Sequence, residues 1–254
     1  MALHVETADR TIPQYPLGQL LLVWAAATVP MGLLAWVVAP RLAVTIGGDQ
    51  PFARALIGCM TAGLALQCLL VVLLVRVEQG SLRWSVVRSA LWLRAPMDPN
   101  TGRRGGRVWW WVLPYFLGFA AVQFLPGLPS PGDRDLAVFL ESAAGRGFLA
   151  GRWDWFAVVV AMAVLNTVLG EELLFRGFLL PRMRGVFGRS DWVANGVLFA
   201  LYHLHMPWVI PTALLDTVLF SYPSRRHRSA WPGIIVHSGQ SVVIVLVVLA
   251  VVAG

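Results

Sequence analysis

Apolar runs of about twenty residues, separated by short polar connections, organise the chain, and a run of that length is what an α-helix needs to cross a bilayer. The runs are 17–40, 55–75, 109–128, a fourth from 153 to about 180, two shorter ones at 191–205 and 207–221, and a seventh from 231 to about 253. The short pair is joined by "HMPW", which predicts a tight hairpin that does not cross fully. No internal repeat or low-complexity segment interrupts the pattern. It predicts an all-α polytopic membrane protein of about seven or eight transmembrane helices with a polar intramembrane cavity. Residues 1–16 form a polar N-terminal segment, 17–152 the first group of transmembrane helices, and 153–254 a core of helices that carries the unusual polar residues.

Arginine placement orients the runs. The connection from Arg76 to Arg107 is the most basic, and "PRMRGVFGRS" and "PSRRHRS" are basic too. In a seven-span arrangement these three loops share one side, which the positive-inside rule makes cytoplasmic. This predicts a multi-pass protein of the cell membrane with its N-terminus in the cytoplasm. Segment 81–94 reads as an amphipathic interfacial helix, with Trp84, Val87, Leu91 and Leu93 against lipid and Arg83, Arg88 and Arg94 near headgroups. "PGLPSPGDRD", beginning at Pro126, reads as a breaker-rich external loop.

Composition agrees. The chain is 57% hydrophobic and 13% charged, where a soluble domain is about a quarter charged. The net charge of +7 comes entirely from arginine, since there is no lysine. These arginines cluster at the ends of apolar runs, which fits topology and lipid headgroups and predicts no nucleic-acid partner. Residues 1–16 are polar and mixed in charge, so no cleavable signal peptide is expected. Cys59 and Cys68 share one run at a helical separation of about 14 Å, too far for a mutual disulfide.

Against this background the polar residues inside the last runs stand out. "LGEELLFRG" places Glu171, Glu172 and Arg176 within an apolar run, where an ionised carboxylate costs several kcal/mol unless paired, solvated or protonated. Glu172 and Arg176 are i,i+4 with the acid first, the favourable order. Glu171 lies about 140° from Arg176, so one acid is expected to be structural and the other free for chemistry. "FALYH" sets His203 one turn beyond Phe199, with His205 expected on the opposite face. "WPGIIVHSGQS" sets His237 and Ser241 at i,i+4, with Gln240 between them. Each element also has a structural reading, as an interfacial charge or a hydrogen-bonded packing residue. Depth argues for a site: measured from the basic ends of their spans, Glu171, His203 and His237 lie about 13, 16 and 9 Å in. These three side chains are expected around one polar cavity open to the cytoplasmic side.

Two chemistries suit such a cluster. Glu171 would act as general base on a water, with His203 positioning and His237 and a polar neighbour donating to an oxyanion. Alternatively, Glu171, His203 and His237 would hold a zinc ion that acidifies the water. The HExxH spacing is absent, so the residues alone do not favour metal.

The order EExxxR, FxxxH and a late-helix histidine preceded by "WP", over about residues 160–242, resembles the CPBP family of intramembrane proteases, also called the CAAX prenyl protease type 2 or Abi family. The segment ending "LWLRAP" is similar to the helix before that family's core. The resemblance implies an intramembrane endopeptidase that hydrolyses a peptide bond of a membrane-associated substrate by glutamate-activated water. It implies Glu171 as the catalytic glutamate, Glu172 and Arg176 as the rest of its motif, and His203 and His237 as the second- and third-motif histidines. Metal dependence is argued both ways for the family. Where the family usually has asparagine, this chain has Ser241, and Gln240 offers the nearest amide. Asp216 stands where small residues are common. The family also includes immunity proteins and non-proteolytic scaffolds, which is the rival reading. A proton-coupled transporter is a third, disfavoured by the lack of an internal repeat.

Overall fold

A computed structural model describes residues 12–125 and 128–254. Most of the 1–16 segment, and the first two residues of the loop that begins at Pro126, lie outside the described residues. Those described form helices and no strand; an isolated bridge joins Met97 and Arg104.

Helix α1 (Leu17–Ile46) continues past the expected end of its run. It contains Pro30, which removes one backbone donor and crowds the preceding turn. A π-helical turn, Leu34–Val38, follows. Pro40 then falls in the first turn of the resumed α-helix, so it does not end the element. Helix α2 (Pro51–Gln79) starts with proline at its first position and stops at Gly80, whose φ of +67° closes the C-terminus through a 3.0 Å bond to Arg76 O. Short α3 (Trp84–Ala90) follows. A 3₁₀ segment, Gly106–Trp111, leads into α4 (Val112–Val122). The side chains of Asp135 and Ser142 cap α5 (Leu136–Glu141) and α6 (Ala143–Leu149).

The long α7 (Trp153–Arg182) lies at the centre, packed against α2 and α11 (Trp231–Ala253). Between α7 and α11 come α8 (Arg184–Phe187), α9 (Asp191–Tyr202) and α10 (210–227), with α9 and α10 packed on each other and on the polar stretch of α7. Helices α1, α2, α7 and α11 are long and apolar enough to cross a membrane. Only 22–39% of their apolar windows is buried in the protein, which leaves broad faces such as Leu22, Leu66, Leu73 and Val243 outward, as lipid contact requires. The runs at 109–128, 191–205 and 207–221 appear as shorter helices packed on these four. Helix α9 stops at Tyr202 because Pro207 and two 3₁₀ turns follow.

Segment 81–94 differs from the interfacial reading. Leu91 is buried, and Val87 and Leu93 pack against the main hydrophobic core. Their apolar surface meets protein rather than lipid, while Trp84 stays exposed. The anchor is Arg182, fully buried at the end of α7. It donates to both oxygens of Glu78 (2.8 and 2.5 Å), to Ala90 O (3.1 Å) and to Phe178 O (2.6 Å). Tyr15 OH donates to the same Glu78 at 2.7 Å. Burial foremost, with the Glu78 carboxylate, pushes that phenol up to about 12, so it remains a donor across the neutral range. One guanidinium thus ties α2, the end of α3 and α7 together, and the phenol adds the residues before α1.

Candidate active site

The polar stretch of α7 is not regular α-helix. π-helical turns, Leu165–Gly170 and Leu173–Leu179, flank Glu171 and Glu172. Such wide turns frequently mark functional sites. Here they set Glu172 toward His237 on α11 and Glu171 toward Tyr202 on α9.

Glu172 and Arg176 are wholly buried, and Nη1 of Arg176 donates to Oε1 of Glu172 at 2.8 Å. The same oxygen accepts from Nδ1 of His237 at 3.1 Å. The guanidinium lies 4.0 Å from the ring centroid of Phe199 and 5.2 Å from that of Phe220, a cation–π setting. His237 stacks on Phe220 at 5.0 Å and 20°. Gly233 is what allows α11 to approach: a Cβ there would overlap Oε2 of Glu172 and reach Ser224 Oγ at 3.1 Å. His237 therefore bonds Glu172, where the sequence reading set it beside Glu171.

Glu171 is 2% exposed, and its Oε2 has no hydrogen-bond partner among the described residues. It lies in the electrostatic field of Glu172, Arg176 and Asp216, with the Tyr202 hydroxyl beside it. Asp216, buried on α10, shares the field of Arg176 and Glu172. Nε and Nη2 of Arg176 are also buried without partners among the described residues.

His203 is buried and its Nδ1 donates to Phe199 O at 2.9 Å. It sits just past the end of α9 rather than within a span. His205 does not point the opposite way: because the helix ends at Tyr202, a 3₁₀ turn stacks the two imidazoles at 5.6 Å and 22°. The Phe199 ring contacts both His203 (4.9 Å) and His237 (6.0 Å). Ser241 is half-buried one turn beyond His237, and Gln240 is exposed and turned to Gln123 at 3.4 Å.

These donors do not fit a metal. Among the described residues no three His, Cys, Asp or Glu side chains are gathered to hold an ion. Nδ1 of each motif histidine bonds a protein acceptor and leaves Nε2 as the nitrogen that could ligate, but the carboxylate nearest His237 is already held by Arg176. A cavity of about 570 Å³ lies elsewhere, lined by residues including Gln14, Trp92, Leu180, Asp191 and Arg225 rather than by Glu171, His203 or His237.

Two residues escaped the sequence reading. Gln67, in the middle of apolar α2, is 2% exposed, and its Oε1 accepts from Tyr202 OH at 3.1 Å. A lone amide in an apolar span was the available signal. Tyr202 lay inside a motif read only for its phenylalanine and histidine.

Residues 152–243 match the family model described as Rce1-like, type II CAAX prenyl endopeptidase. The matched segment contains Glu171, Glu172, Arg176, His203, His237 and Ser241 and leaves out Gln67. The chain is also 28% identical over 153 residues to the uncharacterized protein YyaK of Bacillus subtilis (strain 168), covering 59% of this chain and 44% of that protein. The chain thus spans less than half the length of that relative. No solved structure matches.

Proposed function

We propose that the chain, Rce1-like over residues 152–243, is an intramembrane endopeptidase of membrane-associated peptides in which Glu171 is the general base. The observation that carries this reading is the division between the two acids. Oε1 of Glu172 is taken up by Arg176 and His237, while, among the described residues, no cation is hydrogen-bonded to Glu171 and Oε2 of each acid is buried without a partner. A purely structural pair has its polar atoms matched, and this one leaves an acceptor on each acid and two guanidinium donors open.

In the proposed reaction Glu171 takes a proton from water as the water oxygen bonds to the scissile carbonyl carbon. The carbonyl π pair moves onto its oxygen. Collapse of that intermediate restores the carbonyl and breaks the C–N bond, and Glu171 returns its proton to the leaving nitrogen. Arg176 and His237 hold Glu172 in place, and Nε2 of His203 is left as an acceptor that orients water. The protein would sit in the cell membrane with the arginine-rich loops, and the N-terminus, on the cytoplasmic side.

The test is hydrolysis of fluorogenic membrane peptides by purified protein in liposomes, comparing wild type with Glu171→Gln. Wild-type cleavage that Glu171→Gln abolishes and chelators leave unchanged is expected. Cleavage that survives Glu171→Gln would remove Glu171 from the role. A wild type that cleaves nothing would leave the scaffold reading in its place.

A further inference from the structure

An acyl-transfer site needs a hydrogen-bond donor where charge develops on the carbonyl oxygen. The histidine tautomers restrict which groups qualify. Nδ1 of His203 is spent on a backbone carbonyl, and a carbonyl only accepts, so that nitrogen carries the proton. Nδ1 of His237 faces a carboxylate held by Arg176, so it carries the proton too. In the neutral imidazoles both remaining Nε2 atoms are acceptors. As a neutral imidazole, neither motif histidine is then a donor to an oxyanion. Gln240 is turned outward to Gln123, and Ser241 offers only a short hydroxyl.

Gln67 supplies what is missing. Its Oε1 is 3.1 Å from Tyr202 OH and accepts that proton. With the amide in this orientation its NH₂ group faces away from Tyr202. That Nε2 is buried with no partner among the described residues. The amide is next to the base: Oε1 of Gln67 is 3.5 Å from where a Cβ on Gly170 would stand, and Tyr202 also borders Glu171. The two side chains that border the Tyr202 hydroxyl, Gln67 and Glu171, therefore each keep a buried polar atom unmatched among the described residues. Burying such a group unpaired is unfavourable, which calls for a reason.

We infer that Gln67, outside the family-matched segment, is a catalytic residue of this site. Its Nε2–H group donates to the carbonyl oxygen of the scissile bond as that oxygen gains charge, and Tyr202 is the positioning residue that aims it. The inference rests on the peptidase reading above. It makes α2 part of the active site rather than a membrane anchor.

The experiment compares the full-length wild type, Glu171→Gln, Gln67→Met and Tyr202→Phe in liposomes, with kcat expressed per folded molecule and thermal unfolding measured alongside. Gln67→Met keeps the length of the chain and removes the donor. Expected is a fall in kcat of about 10²–10³ with KM within about twofold, the signature of an interaction made in the transition state. Tyr202→Phe, which frees the amide to rotate, should lower kcat less and again spare KM. If Gln67→Met turns over at the wild-type rate per folded molecule, Gln67 is a packing residue and the inference falls while the peptidase reading stands. A change confined to stability or to KM overturns the inference in the same way. Absence of cleavage by wild type overturns both.

Discussion

Glu172→Gln keeps the size of the side chain and removes its charge. In the fold that charge faces Arg176 at 2.8 Å and His237 at 3.1 Å, with neither Glu172 nor Arg176 exposed. Removing one partner of a buried pair costs about 3–5 kcal/mol because the other charge is left uncompensated. Two features place this case near the low end, about 3 kcal/mol. Asp216 and Glu171 also lie in the field of Arg176, and the guanidinium keeps its contact 4.0 Å from the Phe199 centroid. At roughly 2–4 °C per kcal/mol for a chain of this size, the thermal midpoint should fall by about 6–12 °C. Glu171→Gln differs, because it removes like-charge repulsion with Glu172 and the burial of a charge with no bonded cation. Its midpoint should stay level or rise while hydrolysis is lost. The assay is thermal unfolding in mild detergent, read by the fluorescence of the 12 tryptophans. Equal midpoint losses in the two variants would refute the division between the acids.

Gly233→Ala should lower turnover although alanine is the better helix former by about 1 kcal/mol: the new Cβ overlaps Glu172 Oε2, which Arg176 and His237 prevent from moving aside. Unchanged turnover with a raised melting temperature would show that the carboxylate yields freely. Arg182→Met should destabilise by about 3–5 kcal/mol through the stranded Glu78 carboxylate, and Arg182→Met with Glu78→Leu should recover most of it; a double variant no better than the single one would exclude the clamp. Gln240→Ala should leave kcat within about twofold because its side chain faces Gln123, whereas Ser241→Asn, adding an amide one turn past His237, should raise kcat by an amount up to the worth of one donor, about 10²-fold. Steady-state cleavage assays of both variants decide these two points.

The sequence by itself determined the class of the molecule and the pairing of Glu172 with Arg176. Long apolar runs leave the backbone few options but helices in a membrane, and residues 172 and 176 stand one turn apart in any helix. What neighbour spacing could not determine was anything set by helix ends or by helices distant in sequence. The expected opposite facing of His203 and His205 assumed an unbroken helix, and α9 ends at Tyr202. The assignment of His237 to one acid rather than the other depended on how closely α11 approaches at Gly233, which is a property of packing. The fate of Leu91 and Leu93 turned on whether lipid or protein covers a given face, and amphipathicity alone is blind to that choice. Gln67 entered the site from 104 residues before Glu171. Only the tertiary structure could bring its amide to Tyr202, because a contact between distant helices leaves no local period in the chain.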